Sequence, residues 1–221
     1  MRHQTHLPSH RRHFRQRGLV VLLTAILLFG CSGPKYKQPR IHQYLLHYDD
    51  VPTAGQKALP VVLRFERFQT ATAYDTKRMV YRKQDREVQE YTYHRWRAYP
   101  GEMVGDQLRR DFQASYRFRA VLTPESVLPY THVLEGTVDT FFEDDREERW
   151  SAVVEVTLTL LEEAKGDGVP EVLLQQHYAD REVSDRNHPA AVAEAMSRAV
   201  ERISRKALAD VLGALSPGGA G

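Results

Sequence analysis

The chain has 221 residues, one cysteine, 10% aromatic residues and a formal net charge of +2. That length suits one domain with a sizeable core, and a lone cysteine excludes both an intramolecular disulfide and a Cys-based zinc site. A charge this close to balance gives no support to nucleic-acid binding, which needs a basic face.

In chain order, Arg11, Arg12, Arg15 and Arg17 come first, followed by the uncharged run Leu19 to Phe29 and then Gly30-Cys31. A charged start, an apolar middle and a small residue before the cut are the parts of a secretory signal peptide. As a helix this run rises only ~16 Å, about half the hydrocarbon thickness, so it makes a poor membrane span. Leu28-Phe29-Gly30-Cys31 resembles a bacterial lipobox, in which the chain is cut between Gly30 and Cys31 and the cysteine thiol is acylated. Phe29 is bulkier than the usual occupant of its position. The bland alternative is a plain signal peptide followed by an unrelated thiol.

Residues 1–30 are therefore expected to be a lipoprotein signal peptide and residues 31–43 a lipidated tether, polar from Ser32 to Arg40. The leader holds five arginines and no acid, so its removal takes the net charge from +2 to −3. Each buried acyl CH₂ contributes about 0.8 kcal/mol, and a bacterial lipoprotein cysteine resembles a multi-chain anchor, palmitate-like in its hold on the membrane. Ser32 stands where an Asp would suggest inner-membrane retention in enteric bacteria, which favours the outer membrane.

The domain is expected over residues 44–213. Leu63 and Phe65 alternate with Arg64 and Glu66, predicting a half-buried strand within Pro60–Phe68. Met79–Arg82 and Glu87–Trp96 predict a hairpin turning near Gln84-Asp85. Pro100 opens a helix, with Glu102 at the positive end of its dipole and Val104, Leu108 and Phe112 as its buried stripe. Arg117–Leu122 reads as a short strand. Thr131–Phe142 and Trp150–Leu160 form the strongest strand pair, joined by the acidic run Glu143–Glu148, which reads as a solvated hairpin tip. Glu171–Tyr178 follows as another strand. A last helix spans about Pro189–Leu212, with Val192, Met196, Ala199, Val200, Ile203 and Ala207 inward, and residues 214–221 read as a disordered tail. These elements predict an α+β fold, a curved and mainly antiparallel sheet with two amphipathic helices on one face.

Enzyme chemistry is hard to place. The six histidines beyond the leader (His42, His47, His94, His132, His177, His188) lack HExxH spacing, and there is no Gly-x-Ser-x-Gly elbow or phosphate loop. His132 and His177 read as exposed strand histidines. The acidic run lacks the alternation and glycine of a calcium loop, so no metal and no cofactor are expected. Tyr81, Tyr91, Tyr93, Trp96 and Tyr99 cluster around one hairpin, interleaved with Arg82, Arg86, Arg95 and Arg97. Core packing and cross-strand pairs account for such a set; a docking patch is the functional alternative.

The landmarks also have a recognisable order. They run from the lipobox through Tyr44-x-Leu46, Tyr74, Met79-Val80-Tyr81-Arg82, Tyr91 and Trp96 to Pro100. Ser115-x-x-Phe118, Leu134-Glu135-Gly136, the alternating run Ser151–Leu160 and an alanine-rich last helix follow. The chain resembles the ABC-type transport auxiliary lipoprotein family (PqiC-like lipoproteins). The resemblance implies a non-catalytic auxiliary, anchored through acylated Cys31, that docks on an Mce-domain periplasmic protein and its ABC transporter moving phospholipids or other apolar molecules. Homo-oligomers fit the ring symmetry of such a conduit. Two alternatives stand: an outer-membrane assembly lipoprotein binding a β-barrel or lipopolysaccharide, and a periplasmic enzyme with an unrecognised site.

Overall fold

The computed structural model describes residues 39–49, 57–164, 166 and 168–216. The expected signal peptide, Cys31, most of the tether and the end of the tail lie outside them. The elements are β1 (His42–Tyr44), β2 (Leu59–Phe65), β3 (Gln69–Thr70), β4 (Arg78–Gln84), β5 (Glu87–Trp96), α1 (Pro100–Ala114), β6 (Phe118–Leu122), β7 (His132–Asp144), β8 (Ser151–Glu162), β9 (Glu171–Val183) and α2 (Pro189–Ala214).

β7 is the trunk of one mixed sheet. Along one edge it pairs antiparallel with β8, from His132 opposite Glu162 to Asp144 opposite Ser151. Its other edge takes three short strands in succession, all parallel: β2 at His132–Leu134, β3 at Thr137–Val138 and β4 at Glu143–Asp144. β6 then adds parallel to β2, β5 antiparallel to β4, β1 parallel to β5, and β9 antiparallel to β8. The long ladders are antiparallel, as expected, and the parallel ones are short. A sheet divided along its trunk in this way curls into a half-barrel, and the two helices make the fold α+β.

The alternation in β8 sets the inner face. Ala152, Val154, Val156, Leu158 and Leu160 are all fully buried, while the residues between them are half-exposed. The helices cover that face with the stripes expected of them: Val104, Leu108 and Phe112 from α1, and Val192, Met196, Ala199, Val200, Ile203 and Ala207 from α2. Phe65 meets Phe112 edge-on at 5.2 Å and stacks on Phe68 at 6.1 Å. Phe68 lies in a socket of glycines. A Cβ on Gly136 would come within 2.5 Å of its ring, one on Gly105 within 3.1 Å, and one on Gly101 within 2.6 Å of its carbonyl oxygen.

Several boundaries differ from the sequence reading. β2 stops at Phe65, and Phe68 leaves the strand to fill that socket. β9 continues five residues past Tyr178 to Val183. Asp180 and Glu182, beyond the expected strand end, pair with Arg202 and Arg198 of α2. The acidic run is not a solvated tip throughout: Glu143 and Asp144 belong to β7 and are fully buried. Asp144 accepts from Arg146 at 2.7–2.8 Å and from Arg181 at 2.6 Å, which offsets the cost of burying its charge. His132 is also buried, at the start of β7, and β8 separates it from the exposed His177 on β9.

Candidate functional site

The aromatic residues singled out in the sequence sit on the β4–β5 hairpin and its exit into α1. The hairpin's pairing is irregular. β4 advances from Arg78 to Val80 while β5 runs from Arg95 back to Glu90. Such a bulge adds unpaired residues and breaks the strict two-residue alternation. It brings Tyr91 and His94, which a regular strand would send to opposite faces, to 5.3 Å edge-on.

The five residues therefore do not form one surface. Trp96 is a core residue, 3% exposed, packed edge-on against Phe141 at 5.2 Å and against Tyr44 at 6.5 Å. Tyr81 and Tyr91 are half-buried, their rings 4.6 Å apart. Tyr93 and Tyr99 are exposed, and Tyr99 lies under the Lys77 ammonium at 5.0 Å. Tyr99 also begins α1, where its backbone N–H donates to Glu102 at 3.2 Å. The arginines divide similarly: Arg82 lies over the Phe142 ring at 4.1 Å, Arg97 donates to Gln43 at 2.7 Å, and Arg86 faces solvent.

Beneath this hairpin lies a polar group that the sequence reading missed. The Tyr91 hydroxyl donates to Glu143 Oε1 at 2.8 Å, while Glu143 Oε2 is buried with no hydrogen-bond partner among the described residues. Burial pushes the Glu143 carboxyl up to about 7, against the opposing effect of the Tyr91 hydrogen bond. Burial, followed by the Glu143 charge, likewise raises the Tyr91 phenol. Asp144, next in sequence, is held well below the usual carboxylate range by its Arg146 hydrogen bonds, with Arg181 adding to them against its burial. Arg146, two residues after Asp144, is a local signal for that acid, but Arg181 and the Tyr91 partner of Glu143 lie far along the chain.

A second polar anchor joins the chain after β1 to the helices. Tyr48 donates to the buried Asp111 of α1 at 2.7 Å, and Ser204 of α2 donates to the same carboxylate oxygen. The adjacent His47 N–H donates to Ser197 of α2 at 3.1 Å.

Recessed spaces elsewhere are open and of mixed polarity. One of about 300 Å³ between the β2–β3 connection and α1 contains Glu66, Arg67, Glu102 and Arg109, and Arg67 there pairs with Glu125. Among the described residues, no three His, Cys, Asp or Glu side chains gather as a metal-holding set, and no helix is long and apolar enough to cross a membrane. Gly30 and Cys31, the expected cleavage and lipidation residues, lie outside the described residues.

Among solved structures, the chain is similar to protein XCC0632 of Xanthomonas campestris, described as a DUF330 protein. The TM-score is 0.70 at 20% identity, covering 78% of this chain and 95% of that one. An uncharacterized protein matches with a TM-score of 0.57 at 10% identity, covering 74% of this chain and 99% of its own. Hypothetical protein CT253 of Chlamydia trachomatis has a TM-score of 0.49 at 11% identity, covering 70% and 97%. At these identities the first two likenesses establish the fold alone. No curated protein matches the chain. The model of the family described as "ABC-type transport auxiliary lipoprotein component" matches residues 44–207, the whole span from the end of β1 to the last turns of α2. The chain belongs to the ABC-type transport auxiliary lipoprotein family.

Proposed function

We propose that this protein is a non-catalytic auxiliary of an Mce-type ABC transport system that moves phospholipids or other apolar molecules across a bacterial envelope. The family match over residues 44–207 carries the reading, because it makes an ABC transport system the partner class. The lipobox Leu28–Cys31 supplies the anchor, with Cys31 acylated after cleavage at Gly30, and Ser32 favours the outer membrane facing the periplasm. The mechanism is positional. The lipid holds the domain at a membrane, the tether gives it reach, and the β4–β5 hairpin and its exit into α1 present Tyr93 and Tyr99 to the periplasmic Mce-domain protein. Tyr and Arg are enriched at docking hot spots, and both lie exposed on this arm. Copies arranged as a ring would match a conduit of the same symmetry.

Two variants test the reading. Cys31→Ala should move the protein from the membrane fraction to the soluble fraction; retention in the membrane would remove the lipid anchor from the account. A photo-crosslinking residue at Tyr93 or Tyr99 should capture an Mce-domain protein in intact cells. Capture of a β-barrel protein instead would support the assembly-lipoprotein alternative.

A further inference from the structure

Three histidines from separate parts of the chain meet where the domain begins. His94 of β5 is central. His42 of β1 stacks on it at 5.1 Å and 13°, and His188, at the start of α2, meets it edge-on at 5.9 Å. Tyr44 of β1 also stacks on His94 at 5.9 Å, and its hydroxyl lies 2.9 Å from His94 Nδ1. His188 Nδ1 accepts the Ala190 N–H at 3.1 Å, capping α2. We infer that this cluster is an acid-sensitive latch: neutral histidines hold β1 against β5 and cap α2, and their protonation frees β1 from the sheet.

The chemistry follows from the hydrogen bonds. A nitrogen that accepts must be bare, so His188 caps α2 only while its Nδ1 carries no proton. With a neutral His94 in its Nε2–H tautomer, the Tyr44 hydroxyl donates to Nδ1; a protonated ring must donate there instead, and the hydroxyl has to turn. Protonation also places up to three like charges within ring-contact distance. Burial, followed by the neighbouring His42 and His188, holds His94 below the ordinary histidine value, so its neutral form is the one the fold favours.

The other groups facing the cluster do not offset that charge. On β5, Tyr91 meets His94 edge-on, with Tyr93 and Arg95 flanking His94 in sequence, and Glu143 and Asp145 stand behind Tyr91. Glu143 titrates in the opposite sense. Its raised value means that the fold gains from its protonation, so acid relieves the cost of burying its charge, against the Tyr91 hydrogen bond, while weakening the histidine latch.

β1 is suited to release. Among the described residues it pairs only with β5, through the three positions His42–His94, Gln43–Arg95 and Tyr44–Trp96. Its other ties nearby are Arg97 N–H to the Tyr44 carbonyl at 2.8 Å and Arg97 to Gln43 at 2.7 Å. Freed and extended, residues 40–44 would span at most ~18 Å, using about 3.3–3.6 Å per residue, while Leu46, His47 and Tyr48 stay held to the core and the helices. If the chain is anchored at Cys31, as proposed above, that length adds to the reach of the domain from the membrane. The latch itself does not depend on that reading.

Hydrogen exchange of the full chain in detergent, read by mass spectrometry on peptides spanning residues 41–48, tests the latch. After correction for the chemical rate, protection there should fall severalfold between about pH 7.5 and about pH 5.5, the direction set by a His94 held below its ordinary value in the closed form. Peptides from β7 and β8 should show no such change. In a His42→Gln, His94→Gln, His188→Asn variant the response should vanish. His42→Gln with His188→Asn, both at exposed positions, should diminish it without threatening the fold. Protection over 41–48 that does not change with pH would overturn the inference, as would a wild-type response in the triple variant. Acid loss shared by β7 and β8 would also overturn it, because the opening would then be global.

Discussion

Glu143 and Asp144 are adjacent, both fully buried, and opposite in behaviour. Asp144 has two guanidinium partners and remains charged; Glu143 has one phenol and is pushed toward neutrality. Because the folded value of Glu143, about 7, lies above its ordinary 4.5, its stability contribution is fullest at acid pH and is lost as pH rises through 7. Wild type relative to Glu143→Gln should therefore gain roughly 2 kcal/mol between about pH 8 and about pH 5 in urea titrations, since each pKa unit corresponds to about 1.4 kcal/mol. A difference that does not vary with pH would mean that Glu143 is charged throughout. Trp96 belongs to the same scale. As a core residue, Trp96→Ala should cost about 3–5 kcal/mol of stability, and a variant that folds at near wild-type stability would contradict its placement.

The α1–sheet contact depends on Phe68 and its glycine socket. Gly136→Ala should cost about 1–3 kcal/mol, because the added Cβ meets the Phe68 ring, and Phe68→Leu in the same chain should recover part of that loss. Gly101→Ala should cost as much without any such recovery, since its Cβ meets the backbone oxygens of Phe68 and Gln69. Thermal unfolding of the four variants separates the two cases; equal recovery by Phe68→Leu would refute the backbone clash. Elements of this fold were legible in the sequence in proportion to their regularity. β8 shows ten residues of unbroken alternation, and α1 and α2 show clean apolar stripes. β3 has two residues and no period to read, and the bulge in β5 puts Tyr91 and His94 together against the alternation. The ends of β7 and β9 were missed because their charged residues pair across long sequence separations, as Arg181 does with Asp144 and Arg202 with Asp180. The candidate site was legible as a group of aromatic residues but not as a surface, because composition could not show that Trp96 points inward.

For the molecule as a whole, the sequence carried the family through the order and spacing of small landmarks, and the family match covers the same span. What those landmarks do not carry is the partner, whose contacts form between chains rather than within this one. The most direct measurement is affinity purification of the full-length protein from detergent-solubilised membranes, with proteins and lipids identified together by mass spectrometry. Recovery of an Mce-domain protein with its ABC transporter subunits is the predicted result; recovery of a β-barrel or lipopolysaccharide without them would contradict it.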